Sequence, residues 1–382
     1  MDTHQLVVQG NQHRDQDYYH EALRCYAESF LLDHTNKHAW NNYGNVLREI
    51  GEPTRAVPFL EHATAIDPDF VTAHFNLAIT HLLAGNYKQG WEKYEWRWRY
   101  EHLDGTLPNL SKPRWTGQDL KDKTILVLQE QGFGDIIMMS RFLHDLYLRG
   151  CKIKLQVLPG LVRLYKPSFV LDTVSDSLDD MGDYDYWTPI MSLPGVLGVT
   201  LENMRHDLQY LDPMKPEFDR WLDILGPKKH MRIGLCWSGR RDSWLNRYKS
   251  MPVETMLNLV RQNPNHEYFC LQLDASDDEL NSVRSQGVKI PHNHIQDWLN
   301  TAGLMCHLDL VISVDTAVAH MAGSLGKPLW VPLNKFAQDW RWLLHRNDSP
   351  WYPSARLFRQ PSHGNWQEVI QEMSKFLTYF KI

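Results

Sequence analysis

Apolar residues in the first hundred positions recur at helical spacing, in two-helix units that repeat with a period of about 34 residues. The middle unit is the clearest. Trp40, Tyr43, Gly44, Leu47, Gly51, Ala56, Leu60, Ala63 and Pro68 supply packing residues, small crossing residues and a closing proline for helices over 37–50 and 53–66. The preceding unit aligns Gly10 with Gly44, Ala22 with Ala56 and Tyr26 with Leu60, without the tryptophan and the proline. The following unit aligns Leu77 with Tyr43, Ala78 with Gly44, Gly85 with Gly51 and Tyr94 with Leu60. Its second helix departs from the pattern at Gly90 and Arg97 and runs into WEKYEWRWRYE. Terminal repeats depart where they cap a stack or dock on something else, so Trp91, Trp96 and Trp98 are expected to pack against the next domain.

Beyond residue 105 the periodicity changes. Residues 105–122, with Pro108, Pro113 and a Trp-Thr-Gly turn, have loop composition. TILVLQ (124–129), a helix over 135–149 and KIKLQVL (152–158) then form a βαβ pattern. After a break at Gly226 and Pro227 come strands RIGLCW (232–237), EYFCLQL (267–273), LDLVISV (308–314) and PLWVPL (328–333). Helices lie between them near 252–262, 295–305 and 316–325, and NWQEVIQEMSKFLTYF reads as an amphipathic terminal helix. The fold class expected is an all-α tetratricopeptide-repeat domain of about three repeats over 1–104, a linker over 105–122, and an α/β unit. The α/β unit comprises two Rossmann-like domains, 123–227 and 228–382, with a cleft between them. Repeat arrays offer a concave face to peptides or partner domains, which implies recognition.

A chain of 382 residues exceeds one hydrophobic core, and 43% hydrophobic with 23% charged residues is the balance of a globular protein. No apolar run is long enough to span a bilayer, and MDTHQLVVQGNQHRDQD lacks the features of a secretory signal, so a cytoplasmic location is expected. Cys25, Cys151, Cys236, Cys270 and Cys306 are scattered singly and read as buried apolar positions. Of the histidines only His292 and His294 lie close together, in a Pro-flanked loop read as a surface turn; no metal site and no cofactor are expected. A net charge of −6 argues against a sequence-independent grip on nucleic acid. The turn Gly132-Phe133-Gly134-Asp135 lacks the third small residue of a dinucleotide fingerprint, and Gly326-Lys327 is followed by Pro328, not Ser or Thr. Both argue against dehydrogenases and nucleoside triphosphatases.

Three strand-to-helix turns concentrate polar residues and glycine. In EQGFGD (130–135), Glu130, Gln131, Gly132 and Gly134 form a tight turn that leaves Asp135 at a helix start, either as a cap or as a general base for an acceptor hydroxyl. In WSGRRDSWLNRYKSMP (237–252), Arg247 and Lys249 either face solvent or offset charge on a departing diphosphate, with Ser238 and Gly239 as further donors. In ISVDTAVAHMAGSLG (312–326), a buried strand delivers Asp315 and Thr316 to a helix mouth suited to a phosphate. His320 follows one turn later, as a satisfied helical histidine or as a ligand-binding one.

Together with DWRWLL and DSPWYPSARLFRQP, these segments resemble, in order and spacing, a family in which tetratricopeptide repeats precede a glycosyltransferase domain related to the lipopolysaccharide heptosyltransferases. The resemblance runs from about the second repeat to near the C-terminus. It implies a GT-B fold, a metal-independent site, a nucleotide-diphosphate sugar bound by the C-terminal domain and an acceptor against the N-terminal one. It makes Asp135 the candidate base, Lys249 a cation on the donor phosphates, Asp315, Thr316 and His320 the donor-site helix mouth, and places Gln272 near the nucleoside. The heptosyltransferases prefer Gly after the Thr where this chain has Ala317, so the donor sugar is not carried over. For Asp339 a sugar contact is the expectation, and for Trp340 and Trp342 packing. The acceptor is a glycan, a protein or a modified nucleobase, with the repeats recruiting it or a protein partner. The competing readings are a non-catalytic adaptor built on a degenerate transferase and a glycan-binding module. A chain beginning near Leu107 is expected to keep donor binding and lose transfer to large acceptors.

Overall fold

The computed structural model describes residues 1–100, 107–205, 209–212, 215–241 and 246–380. The expected boundary at 104, the start of the 105–122 linker and residues 242–245 of the cation-rich run lie outside them. The chain divides into two compact units, one of Met1–Pro108, Gly198–Met204 and Lys335–Arg346, the other of Asn109–Leu197, Arg205–Asn334 and Asn347–Ile382.

The first unit holds helices α1 (Thr3–Asp15), α2 (Tyr19–Leu32), α3 (Lys37–Glu49), α4 (Pro53–Ile66), α5 (Val71–Leu83) and α6 (Tyr87–Tyr94). Sequence chemistry sets their ends: Asp2 and Gln5 form a capping box on α1, Asn36 caps α3, and Pro53 opens α4. Within a hairpin the helices cross where one side chain is missing. A Cβ at Gly44 would lie 2.8 Å from Leu60 Cγ, and one at Gly10 would lie 2.4 Å from Tyr26 Cε1. Amides tie hairpin to hairpin, with Asn42 Nδ2 donating to Asn11 Oδ1 at 2.9 Å and Asn76 Nδ2 to Asn41 Oδ1 at 3.0 Å. The aromatic run packs inside this unit: Trp91 against Tyr87 and Tyr94, Trp96 stacked on His74 at 3.8 Å, and Arg97 over Trp98 at 4.4 Å.

Segment 335–346 touches all three hairpins. Phe336 packs edge-on against Tyr19 at 5.0 Å, the Ala337 N–H donates to the Glu49 carbonyl at 2.8 Å, and Trp340 meets Trp91 at 5.2 Å. Trp340, Arg341 and Trp342 form a buried 3-10 turn against α5.

The second unit contains two parallel sheets. In the first, β1 (Thr124–Leu128), β2 (Lys152–Gln156), β3 (Thr173–Ser175) and β4 (Tyr186–Pro189) are ordered β3-β2-β1-β4. They are connected with α7 (Phe133–Met139), α8 (Leu143–Tyr147) and α9 (Val162–Tyr165), and α10 (Leu193–Val196) follows. After α11 (Lys215–Leu225), the second sheet is built from β5 (Arg232–Cys236), β6 (Glu267–Cys270), β7 (Leu310–Ser313), β8 (Leu329–Leu333) and β9 (Ala355–Arg359), ordered β6-β5-β7-β8-β9. Its connections carry α12 (Asn246–Lys249), α13 (Val253–Gln262), α14 (Asp277–Ser285), α15 (Trp298–Cys306) and α16 (Ala317–Ser324), and α17 (Trp366–Tyr379) closes the chain. β5, β7 and β8 are buried along their whole length, as parallel strands covered on both faces must be. Cys151, Cys236 and Cys270 are buried, whereas Cys25 and Cys306 are only partly so. No helix among the described residues is long and apolar enough to cross a membrane.

Candidate functional site

Strand order predicts where a ligand can enter. In an open parallel sheet the crevice lies outside the carboxyl ends of the strands where the order reverses. That point falls between β1 and β4 in one sheet and between β5 and β7 in the other. The turns that leave β1, β5 and β7 are the three that carry the candidate residues.

After β1, Glu130 and Gln131 lead into α7, with Gln131 in the left-handed region at φ 62°. Asp135, in the first turn of α7, reaches back so that its Oδ2 accepts the Gly132 N–H at 3.0 Å. The carboxylate is half-buried and does a cap's work without occupying the N-cap position.

The β5 turn is braced from β6. Gln272, 4% exposed, accepts with one Oε1 the N–H groups of Trp237 at 3.1 Å and Ser238 at 2.9 Å and the Cys236 thiol at 3.2 Å. Burial pushes that thiol up to about 11, so it remains an S–H donor. Expected near the nucleoside, Gln272 therefore has its carbonyl committed to holding two strand ends together. Ser250 Oγ accepts the Gly239 N–H at 3.1 Å and meets Ser238 Oγ at 3.0 Å, closing the loop back onto α12. Arg247 is exposed, with its guanidinium on the ring and hydroxyl of Tyr248.

At the mouth of α16, Thr316 is the N-cap, its Oγ1 accepting the Val318 N–H at 3.2 Å and meeting Ser313 Oγ at 3.0 Å. Asp315, which is buried, pairs through Oδ2 with Lys249 Nζ at 2.5 Å, while its Oδ1 lies 3.9 Å from His320 Nε2. Two candidates from separate turns thus neutralise each other. Losing the half-buried Lys249 would leave the buried Asp315 carboxylate without its counter-charge, which is costly.

The turns after β1 and β7 also meet. A Cβ at Gly134 would stand 2.8 Å from His320 Cδ2 and 3.3 Å from Ala317 Cα, so only glycine allows α7 and α16 to approach this closely. Asp135 and the α16 mouth are consequently held in one neighbourhood. Nearby, Phe133 packs on Trp298 at 5.5 Å, and Arg163 pairs with Asp297 at 2.9 Å. Asp339 belongs to the first unit, where it caps the 3-10 turn and pairs with Arg341 Nη1 at 2.9 Å. Among the described residues no group of three or more His, Cys, Asp or Glu is placed to hold a metal ion, and His292 and His294 form a 3-10 turn. Sequence reasoning passed over Tyr352, whose hydroxyl lies 2.8 Å from His320 Nδ1; its one signal was membership of the segment DSPWYPSARLFRQP.

No protein-family model matches the chain. Protein FlbA of Caulobacter vibrioides is 24% identical over 404 aligned positions, covering 89% of this chain and 67% of that protein. The ADP-heptose lipopolysaccharide heptosyltransferase II of E. coli is similar in structure with a TM-score of 0.51 at 13% identity, over 67% of this chain and 98% of that one. The Sgt2 TPR domain of Aspergillus fumigatus matches 27% of this chain and 69% of its own, at 23% identity and a TM-score of 0.26. The chain therefore joins an all-helical N-terminal region to a parallel-sheet α/β scaffold of the kind found in a glycosyltransferase.

Proposed function

We propose that the chain is a metal-independent glycosyltransferase of the GT-B type, moving a sugar from a nucleotide-diphosphate donor to an acceptor hydroxyl. The observation that carries this reading is the approach of α7 to α16 across Gly134, which sets a carboxylate beside a capped helix mouth. Asp135 takes the acceptor proton on its carboxylate. The α16 N-terminus, with its N–H groups and dipole, receives a donor phosphate, and Lys249 turns from Asp315 toward the leaving diphosphate. Ser238, Gly239 and Arg247 flank the same turn. The acceptor is a glycan, a protein or a modified nucleobase, and the repeats recruit it or a protein partner from the cytoplasm. No donor sugar follows from these residues.

A second reading, a non-catalytic adaptor on a transferase scaffold, has one observation in its favour. Lys249 and Asp315 form an ion pair with each other, and Asp135 accepts the Gly132 N–H, so the charges of the site have partners within the protein. A thermal-shift screen of ADP, GDP, UDP and CDP and their sugar conjugates on the full chain decides between the two. Stabilisation by a nucleoside diphosphate supports the transferase. No response to any of them supports the adaptor.

A further inference from the structure

His320 is 4% exposed and Tyr352 1% exposed, so neither ring can rely on water for its polar atoms. The Tyr352 hydroxyl lies 2.8 Å from His320 Nδ1. Two neutral arrangements satisfy that contact. Either Tyr352 donates to an Nδ1 lone pair and the ring proton sits on Nε2, or Nδ1–H donates to the phenol and Nε2 carries a lone pair. The other side of the imidazole chooses between them. Nε2 looks toward Asp315 Oδ1 at 3.9 Å, where a lone pair would face a carboxylate and an N–H would complement it. Lys249 pairs with that same carboxylate at 2.5 Å.

The phenol is also held more firmly than a side chain that merely fills space. A Cβ at Gly323 would lie 2.3 Å from Tyr352 Cδ1, so the ring lies against the backbone of α16 one turn beyond His320. The Arg141 guanidinium also lies over the rings of Tyr210, Trp351 and Tyr352 at 4.9, 5.3 and 5.3 Å and donates to the Trp351 carbonyl. Gly134 then fixes the imidazole edge at Cδ2.

We infer that Tyr352 is a positioning residue whose hydroxyl donates to His320 Nδ1 and holds the imidazole as its Nε2–H tautomer, turned toward Asp315 at the mouth of α16. On the glycosyltransferase reading, on which this step rests, that N–H is an uncharged donor for a phosphate oxygen, placed beside the Lys249 charge.

The test is the tautomer itself, read from long-range proton–nitrogen correlation spectra of the full chain with labelled histidine rings, with His320→Gln to assign the signal. The expected result at neutral pH is protonated Nε2 with unprotonated Nδ1, and in Tyr352→Phe a mixture in which Nδ1–H appears. Protonation of Nδ1 in the wild type, an imidazolium, or an unchanged tautomer in a folded Tyr352→Phe chain would each overturn the inference; the first two are read on the wild type and do not depend on the folding of Tyr352→Phe. Calorimetric titration of ADP, GDP and UDP separates the underlying reading. Tyr352→Phe is expected to weaken the best of them about two- to tenfold, the loss of one neutral hydrogen bond. If none binds the wild type, the glycosyltransferase reading fails while the tautomer result stands.

Discussion

Trp340→Ala tests whether segment 335–346 is a structural part of the repeat unit. The Trp340 ring is 3% exposed, meets Trp91 edge-on at 5.2 Å and lies under the Arg341 guanidinium at 4.3 Å. A buried tryptophan removes on the order of 200 Å² from water, which at about 25 cal/mol per Å² sets an upper bound near 5 kcal/mol. Tryptophan-to-alanine changes in cores cost about 3–5 kcal/mol, and that range is the expectation. The edge-on pair should appear separately, as a coupling of about 0.5–1.5 kcal/mol in a double-mutant cycle with Trp91→Ala. The assay is urea unfolding followed by far-ultraviolet dichroism, with each transition fitted on its own, because a chain of two units need not unfold in one step. A loss below about 1 kcal/mol, with the two substitutions additive within about 0.5 kcal/mol, would refute this packing.

The remaining predictions concern the site and the division of the chain. Asp135→Asn keeps an oxygen for the Gly132 N–H and loses the proton acceptor, so transfer should fall roughly 10²–10⁴-fold with the melting temperature nearly unchanged; full activity would remove Asp135 from the mechanism. Lys249→Met should abolish nucleotide-induced stabilisation but also lower stability, because it strands Asp315; Lys249→Met with Asp315→Leu should recover stability and not nucleotide binding, measured by thermal shift. Burial raises the Glu279 carboxyl, but hydrogen bonds from Trp237 Nε1 and the Ser276 N–H and the pair with Arg241 outweigh it and hold the group low. Its stabilisation is complete above the unfolded value of about 4.3 and is lost as pH falls through the folded value, so the stability gap between wild type and Glu279→Gln should close on acidification; a pH-independent gap would contradict this. A chain beginning near Leu107 strips the partners from Phe336, Trp340 and Trp342 and should aggregate, which light scattering reads directly and a soluble monomer would contradict.

The helical repeats were readable because their packing is local. The alignment of Gly10 with Gly44 and of Tyr26 with Leu60 corresponds to contacts: each glycine receives the aligned residue of its own hairpin. In the third hairpin the close approach moves to Gly90, where a Cβ would stand 2.6 Å from Leu82 Cδ2, and that position appeared in the sequence only as a departure. Strands that announce themselves by their pattern, β1, β2 and β5 to β8, fall where it puts them, each one to three residues shorter. β3 has three residues, β4 reads Tyr-Trp-Thr-Pro and β9 carries two arginines in five residues, so none reads as a continuous apolar run. The helix expected over 135–149 is interrupted by a 3-10 turn at Ser140–Phe142.

The candidate turns were readable for a different reason: strand ends in a parallel sheet point one way, so polar residues just past an apolar run collect at one rim. What those residues do to each other was not readable. The Lys249–Asp315 pair, the Gln272 brace and the Tyr352–His320 contact join positions from 32 to 66 residues apart. Nothing in local composition distinguishes a lysine that meets a phosphate from one that first meets an aspartate.

Segment 335–346 shows the same limit at the scale of domains. A boundary drawn where the period changes treats DWRWLL as part of the α/β half, and its chain position between β8 and β9 agrees. Its partners do not. The second helix of the third hairpin, α6, has only eight residues, against fourteen in α2 and α4, so α5 lacks the cover that its counterparts have. A repeat at the end of a stack must be capped, because each buries its apolar face only against a neighbour. Here the aromatic run supplies part of that cap, with Trp96 on His74, and Trp340 and Trp342 supply more of it against Trp91 and α5. The shortened helix and the returning tryptophans are therefore two halves of one solution, while the departure at Gly90 admits Leu82 and that at Arg97 buries a guanidinium over Trp98.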